Sequence, residues 1–257
     1  MNYLEGRPMH RSVLCALLAI TLAGLAPGCT PLSERVARRP LGESSPDEAN
    51  KELRARSLFE LKLRSSVDSS TLMVLHRYGN LIHECAERYN LDWRFILAVM
   101  KTESSFSPSA LSCKGAFGFM QIMPMTGEEL EQSLDLMDFR SPSNNILGGV
   151  YYLRQLYDMF DGILPPDRLR LVLASYNAGP GRVLDAQQMV AFLHGDPKEW
   201  NDVKMGMALM DSLTTSIQSD LWPEGKPHNG WFVNPEQTVA YVDKVMDVYA
   251  RYERVLE

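Results

Sequence analysis

The chain has 257 residues, of which 45% are hydrophobic and 23% charged, and a formal net charge of -6. That balance excludes a disordered polymer, and its acidic sign argues against nucleic acid as a partner. Four cysteines in so long a chain exclude a small disulfide-stapled scaffold.

Residues 1–28 have the three-part form of a secretory signal. Arg7, His10 and Arg11 are basic, and an apolar run follows from Val13 to Ala26. The run is shorter than the ~20 residues a spanning helix needs. It ends in Leu25-Ala26-Pro27-Gly28-Cys29, which resembles a bacterial lipoprotein cleavage site with Cys29 lipidated as the new first residue. Ala26 and Pro27 depart from the usual Leu-(Ala/Ser) pair, and a plain secretory signal or an uncleaved anchor are the other readings. Each of these places the rest of the chain outside the cytoplasm. With Cys29 lipidated, the expected address is the periplasmic side of the envelope, anchored to the outer membrane. Residues 29–69 form the expected tether. They are rich in Pro, Ser, Arg and Glu up to Asn50, and a helical pattern over 51–66 then suggests a stalk or docking helix.

From Thr71 onward apolar residues recur at helical spacing, so 70–257 reads as one all-α domain. A helix is expected over 72–89, with Leu72, Leu75, Tyr78, Ile82 and Cys85 on one stripe. Asp92 caps the next, whose apolar face is Trp93, Ile96, Leu97 and Met100. Further helices are expected over 127–137, 145–160, 167–178, 200–217 and 235–257. Pro165-Pro166 and Gly179-Pro180-Gly181 are read as breaks. One small hairpin is expected around 115–122.

His76 and His83 lie two turns apart on one face, but no further ligands stand at metal-binding spacing, so both read as packing or surface residues. Cys85 and Cys113 are either bonded to each other or two free thiols. Glu103 is more informative. It follows Ile96 and Met100 at i, i+4, i+7, which sets its carboxylate on the buried stripe, and it falls in the last turn of its helix. Desolvation and the negative end of the helix dipole both raise its pKa. A carboxylic acid tuned upward in this way suits a general acid for glycosidic cleavage.

The chain from Glu103 reads ESSFSPSALSCKGAFGFMQIMPMTG, followed by NILGGVYYLRQL from Asn145 and ASYNAGPGRV from Ala174. Over 92–183 this resembles the soluble-lytic-transglycosylase family, lysozyme-like enzymes that cut the glycan strand of peptidoglycan. A weaker echo lies at Thr238-Val239-Ala240-Tyr241-Val242. The resemblance implies a lysozyme-like fold with Glu103 as the single catalytic acid/base. It implies that Ser112, Gln121, Met123, Tyr176 and Asn177 contact substrate. It implies no metal and no organic cofactor. Phe119 stands where the family usually has leucine. Gln237 stands where the family often has a groove-facing glutamate, leaving an amide to meet sugar hydroxyls. Between Gly179 and Gln237 lie 57 residues, a long connection holding Trp200, Trp222 and Trp231.

A glycosidase of the usual kind uses two carboxylates, and the resemblance supplies one. Glu128, Glu129 and Asp135 belong to a helix that reads as exposed. The expected reaction is therefore cleavage of the MurNAc-GlcNAc β-1,4 bond with closure of a 1,6-anhydro ring, assisted by the substrate's own N-acetyl group. The alternatives are a lysozyme-like hydrolase and a non-catalytic lipoprotein that binds glycan strands.

Overall fold

The computed structural model describes residues 67–256. The expected signal segment, Cys29, most of the tether and the helical pattern over 51–66 lie outside the described residues.

Helix α1 (Ser69–Tyr89) begins where the Asp68 carboxylate accepts the Thr71 N–H at 3.0 Å. Lys101 Nζ lies 3.0 Å from the same carboxylate, tying α1 to α2 (Trp93–Ser104). Partial burial pushes the Asp68 pKa up, but the Ser70, Lys101 and Thr71 donors outweigh it and hold the group well below the usual carboxylate range. Asn90, in the left-handed conformation, ends α1, and Asp92 starts α2 by accepting the Arg94 N–H at 2.8 Å.

Every residue of α2 from Phe95 to Met100 is buried. A helix enclosed on all sides must be surrounded by others. The long terminal helix, designated α9 (Pro235–Val255), packs along it. Tyr249 of α9 donates to Asp92 at 3.1 Å, and Tyr252 shares a 2.9 Å bond with Thr71. The last helix is thereby fastened to the starts of the first two.

Six helices lie between. They are α3 (Pro124–Leu134), α4 (Pro142–Met159), α5 (Asp167–Ala178), α6 (Pro180–Phe192), α7 (Trp200–Ala208) and α8 (Thr215–Leu221). The core runs through Ile82, Leu97, Met120, Ile146, Leu153, Leu173, Val183, Met207 and Val245. No strand forms among the described residues. The expected hairpin is reduced to two isolated bridges, Leu111 with Phe117 and Phe117 with Ile122.

The structure corrects several expectations. The break read at Gly179-Pro180-Gly181 is a corner between two helices, and α6 was missed. Pro180 occupies the first position of α6, where a missing N–H costs nothing. Gly179 turns the corner at φ 92°, a conformation that disfavours side chains. The single helix expected over 200–217 is broken after Ala208. There the Asp211 carboxylate accepts the Leu213 N–H at 2.7 Å, an Asx turn competing with the helix, and Thr214 Oγ1 donates to the Leu209 carbonyl at 2.6 Å. The helix expected to reach Met137 stops at Leu134, with Asp135 left-handed behind it. Cys85 and Cys113 are not bonded to each other. Cys85 is buried on α1, which pushes its thiol pKa up, whereas Cys113 is exposed on the loop after α2, and both are free.

Candidate active site

Glu103 sits in the last turn of α2, its side chain turned toward α9. Tyr241 of α9 donates its hydroxyl to Glu103 Oε1 at 2.6 Å. Burial pushes the Glu103 carboxyl up, and neither the Tyr241 bond nor the Lys244 charge offsets it, so the pKa rises to about 7. Half of such groups carry a proton near neutrality, the condition for accepting and releasing one in the same cycle. The backbone beyond Glu103 is held by Ser104, whose Oγ lies 3.2 Å from the Met100 carbonyl and 3.0 Å from that of Phe119.

Tyr176 of α5 donates its hydroxyl to the Met120 carbonyl at 2.7 Å, joining α5 to the loop over 105–123. Burial first, and the Glu103 charge second, push the phenols of Tyr176 and Tyr241 far above their ordinary range. Both stay protonated as hydrogen-bond donors. Tyr152 of α4 stands against Tyr176 with ring centres 5.5 Å apart. Three tyrosines thus wall the region of the acid.

The loop over 105–123 is clamped by one buried side chain. Asn145 of α4 accepts the Met120 N–H at 2.9 Å through Oδ1, while its Nδ2 lies 3.0 Å from the Phe117 carbonyl and 3.4 Å from that of Phe139. Gly118 has φ +80°, and a Cβ there would sit 2.6 Å from the Asn145 side chain. Only glycine permits both that φ and that approach.

Ser112, Gln121 and Met123 all lie on this loop. Ser112 Oγ accepts the Ala116 N–H at 2.9 Å and closes a turn, which leaves its hydroxyl proton free to donate outward. Gln121 is left-handed at φ 47°, and its Nε2 bonds the Ala110 and Gly118 carbonyls at 3.1 and 3.0 Å, so part of its task is to hold the loop. Met123, half-exposed, precedes α3.

Asn177 and Gln237 meet elsewhere. Asn177 Oδ1 accepts the Thr238 hydroxyl at 2.9 Å, and Gln237 lies on the first turn of α9. Both line a pocket of about 220 Å³ with the cations Lys114 and Arg182. The structure therefore sorts the expected residues into three groups: the acid with its tyrosines, the clamped loop, and this cationic pocket. Glu128, Glu129 and Asp135 are exposed on and after α3. His83 Nδ1 lies 2.8 Å from the Gly79 carbonyl, and its ring rests on Trp93.

Sequence reasoning gave no site role to Asn145, Tyr152, Lys114 or Arg182, nor to Tyr241, which it named only within the echo over 238–242. Tyr241 carried a signal, since it lies four residues after Gln237 and so on the same helix face. Asn145 was visible only as the start of a motif, because its loop partners are distant in sequence.

The profile of the transglycosylase SLT domain matches residues 80–198. The chain is 42% identical over 137 residues to the membrane-bound lytic murein transglycosylase F of Desulfosudis oleivorans, covering 53% of this chain and 29% of that protein. It is 33% identical over 130 residues to the protein of the same name from Maricaulis maris, covering 50% and 28%. The chain thus spans under a third of the length of these relatives. Among solved structures, an inactive mutant of lytic transglycosylase Slt from Pseudomonas aeruginosa aligns at a TM-score of 0.45 and 25% identity, over 70% of this chain and 24% of that one.

Proposed function

Residues 80–198 match the transglycosylase SLT domain, and from that likeness we propose that the chain cuts the glycan strand of peptidoglycan with Glu103 as its only acid/base. The observation that carries the reading is Glu103 itself, a largely buried carboxyl with a pKa of about 7, gripped by a tyrosine that stays protonated.

Tyr241 donates to Oε1, so the acidic proton of neutral Glu103 rides on Oε2. It passes to the glycosidic oxygen leaving N-acetylmuramic acid. As the bond breaks, the substrate's N-acetyl carbonyl stabilises positive charge at the anomeric carbon. Glu103 is now a carboxylate, held by the Tyr241 hydroxyl and the Lys244 charge. It takes the proton of the sugar's own 6-hydroxyl as that oxygen closes the 1,6-anhydro ring. Attack from within the same molecule needs no second carboxylate to position water. Among the described residues the charge that acts on Glu103 is that of Lys244, which opposes burial and stabilises the carboxylate. Ser112, Gln121, Met123, Asn177 and Gln237 are assigned to contacts along the strand.

Residues 70–257 act as the catalytic domain in this account, with Cys29 lipidated and the enzyme held at the periplasmic side of the envelope. No helix among the described residues is long and apolar enough to cross a membrane. Metabolic labelling with a fatty-acid analogue tests the anchor: label is expected on the wild type and lost in Cys29→Ala, and equal label on both refutes it. Digestion of purified peptidoglycan tests the reaction. Products lacking one water relative to hydrolysis products support it, hydrolysis products favour a lysozyme, and no release indicates a binder.

A further inference from the structure

The long connection between α6 and α9 holds a feature the reaction above does not use. Trp200 and Trp222 are 3% and 2% exposed, as large aromatic rings ordinarily are, but Trp231 is 43% exposed. Its ring is nonetheless fixed. Nε1 donates to Gln218 Oε1 at 3.2 Å, and Gln218 is wholly buried. The Gln218 Nε2 lies 3.0 Å from the Leu209 carbonyl, 2.6 Å from the Asp211 carbonyl and 3.0 Å from Thr214 Oγ1. Those acceptors dictate the orientation of the amide, so its oxygen must face the indole. A buried polar network thus holds an exposed aromatic face in one position, which is pre-organisation for a ligand rather than for the core.

Trp231 lines a pocket of about 370 Å³ together with Phe232, Asp211 and Glu236. Val233, 75% exposed, adds an apolar edge. Phe232, Val233 and Asn234 also line the pocket of Asn177 and Gln237, so the two cavities adjoin. Glu236 precedes Tyr241 by five residues of α9, a rise of about 7.5 Å.

We propose that the Trp231 pocket is a further glycan subsite, taking an N-acetylhexosamine ring of the strand whose scissile bond lies at Glu103. The sugar's C–H face lies on the indole, its hydroxyls donate to Asp211 and Glu236, and its acetyl methyl meets Val233. The acidic lining selects the sugar over the peptide stem, because two carboxylates repel stem carboxylates but accept from neutral hydroxyls. This assignment rests on the glycan-cleaving reading above and extends it along the strand.

The test titrates the Glu103→Gln full-length protein with a hexamer of N-acetylglucosamine, following heat and tryptophan fluorescence. The hexamer is expected to bind and to shift the emission. Trp231→Ala should weaken binding about tenfold, the loss of one stacking partner, and abolish the shift, while Trp231→Phe retains most of the affinity. Far-UV circular dichroism checks that both variants fold. With Glu103 present and peptidoglycan as substrate, Trp231→Ala should raise KM more than it lowers kcat. Absence of hexamer binding by the parent, or equal affinity in Trp231→Ala, overturns the proposal. Release of anhydro fragments by the wild type with KM unchanged in Trp231→Ala sinks the subsite and leaves the reaction standing. Hexamer binding that depends on Trp231, without any release from peptidoglycan, sinks the reaction and leaves the pocket.

Discussion

Replacing Tyr241 by phenylalanine removes one hydroxyl and leaves Glu103 Oε1 without its 2.6 Å donor. That bond favours the carboxylate over the acid and so opposes burial, which raises the Glu103 pKa to about 7. A hydrogen bond to a charged group contributes about 1.5–3 kcal/mol, and one pKa unit corresponds to about 1.36 kcal/mol. The variant's Glu103 should therefore titrate about one to two units higher. Proton donation to the leaving oxygen requires the neutral acid, so kcat/KM falls on the alkaline side with this pKa. The assay is release of soluble muropeptides across a pH series, with wild type and Tyr241→Phe side by side. The alkaline limb should move upward by one to two units, to about pH 8–9 in the variant. Its maximal kcat should fall, because the carboxylate that collects the 6-hydroxyl proton has lost a partner. An unmoved limb with wild-type kcat would refute the claim that this hydroxyl acts on Glu103.

Glu103 also limits stability. Its folded pKa lies above the unfolded value, so the stability it contributes is full below about pH 4.5 and is lost as pH rises to about 7. Glu103→Gln should accordingly gain on the wild type across that window, by up to about 3 kcal/mol, in denaturant midpoints taken on either side of it; a constant difference would contradict this. Asn145→Ala should cost about 2–4 kcal/mol in urea unfolding and depress activity, because Met120 and Phe117 lose buried partners and the loop loses its clamp; a loss under ~0.5 kcal/mol would show that water replaces it. Cys113 should be alkylated in the native protein and Cys85 only after unfolding, read by peptide mass; equal reactivity would place Cys85 wrongly.

Much of this arrangement could be read from the chain because it is local. The i, i+4, i+7 spacing of Ile96, Met100 and Glu103 fixes which way the carboxylate faces, and neither loops nor partners enter that inference. Asp92 announces its helix by the same short-range chemistry, and the cap is present. What escaped depends on contacts between distant segments. Tyr241 reaches Glu103 across 138 positions, and Asn145 reaches Met120 across 25. The break after Ala208 escaped for a different reason. Met205, Met207 and Met210 continue the helical pattern, but the Asp211 carboxylate captures the Leu213 N–H and Gln218 captures the free carbonyls. Pro180 misled because proline stops a helix in its interior but starts one at its first position.

The central claim is that one partly buried glutamate, without a second carboxylate, opens the glycan strand by ring closure. Mass spectrometry of muropeptides released from purified peptidoglycan tests it most directly. The wild type should release products that each lack one water relative to hydrolysis products, and Glu103→Gln should release none. Fully hydrated products from the wild type, or undiminished release by Glu103→Gln, would contradict the account.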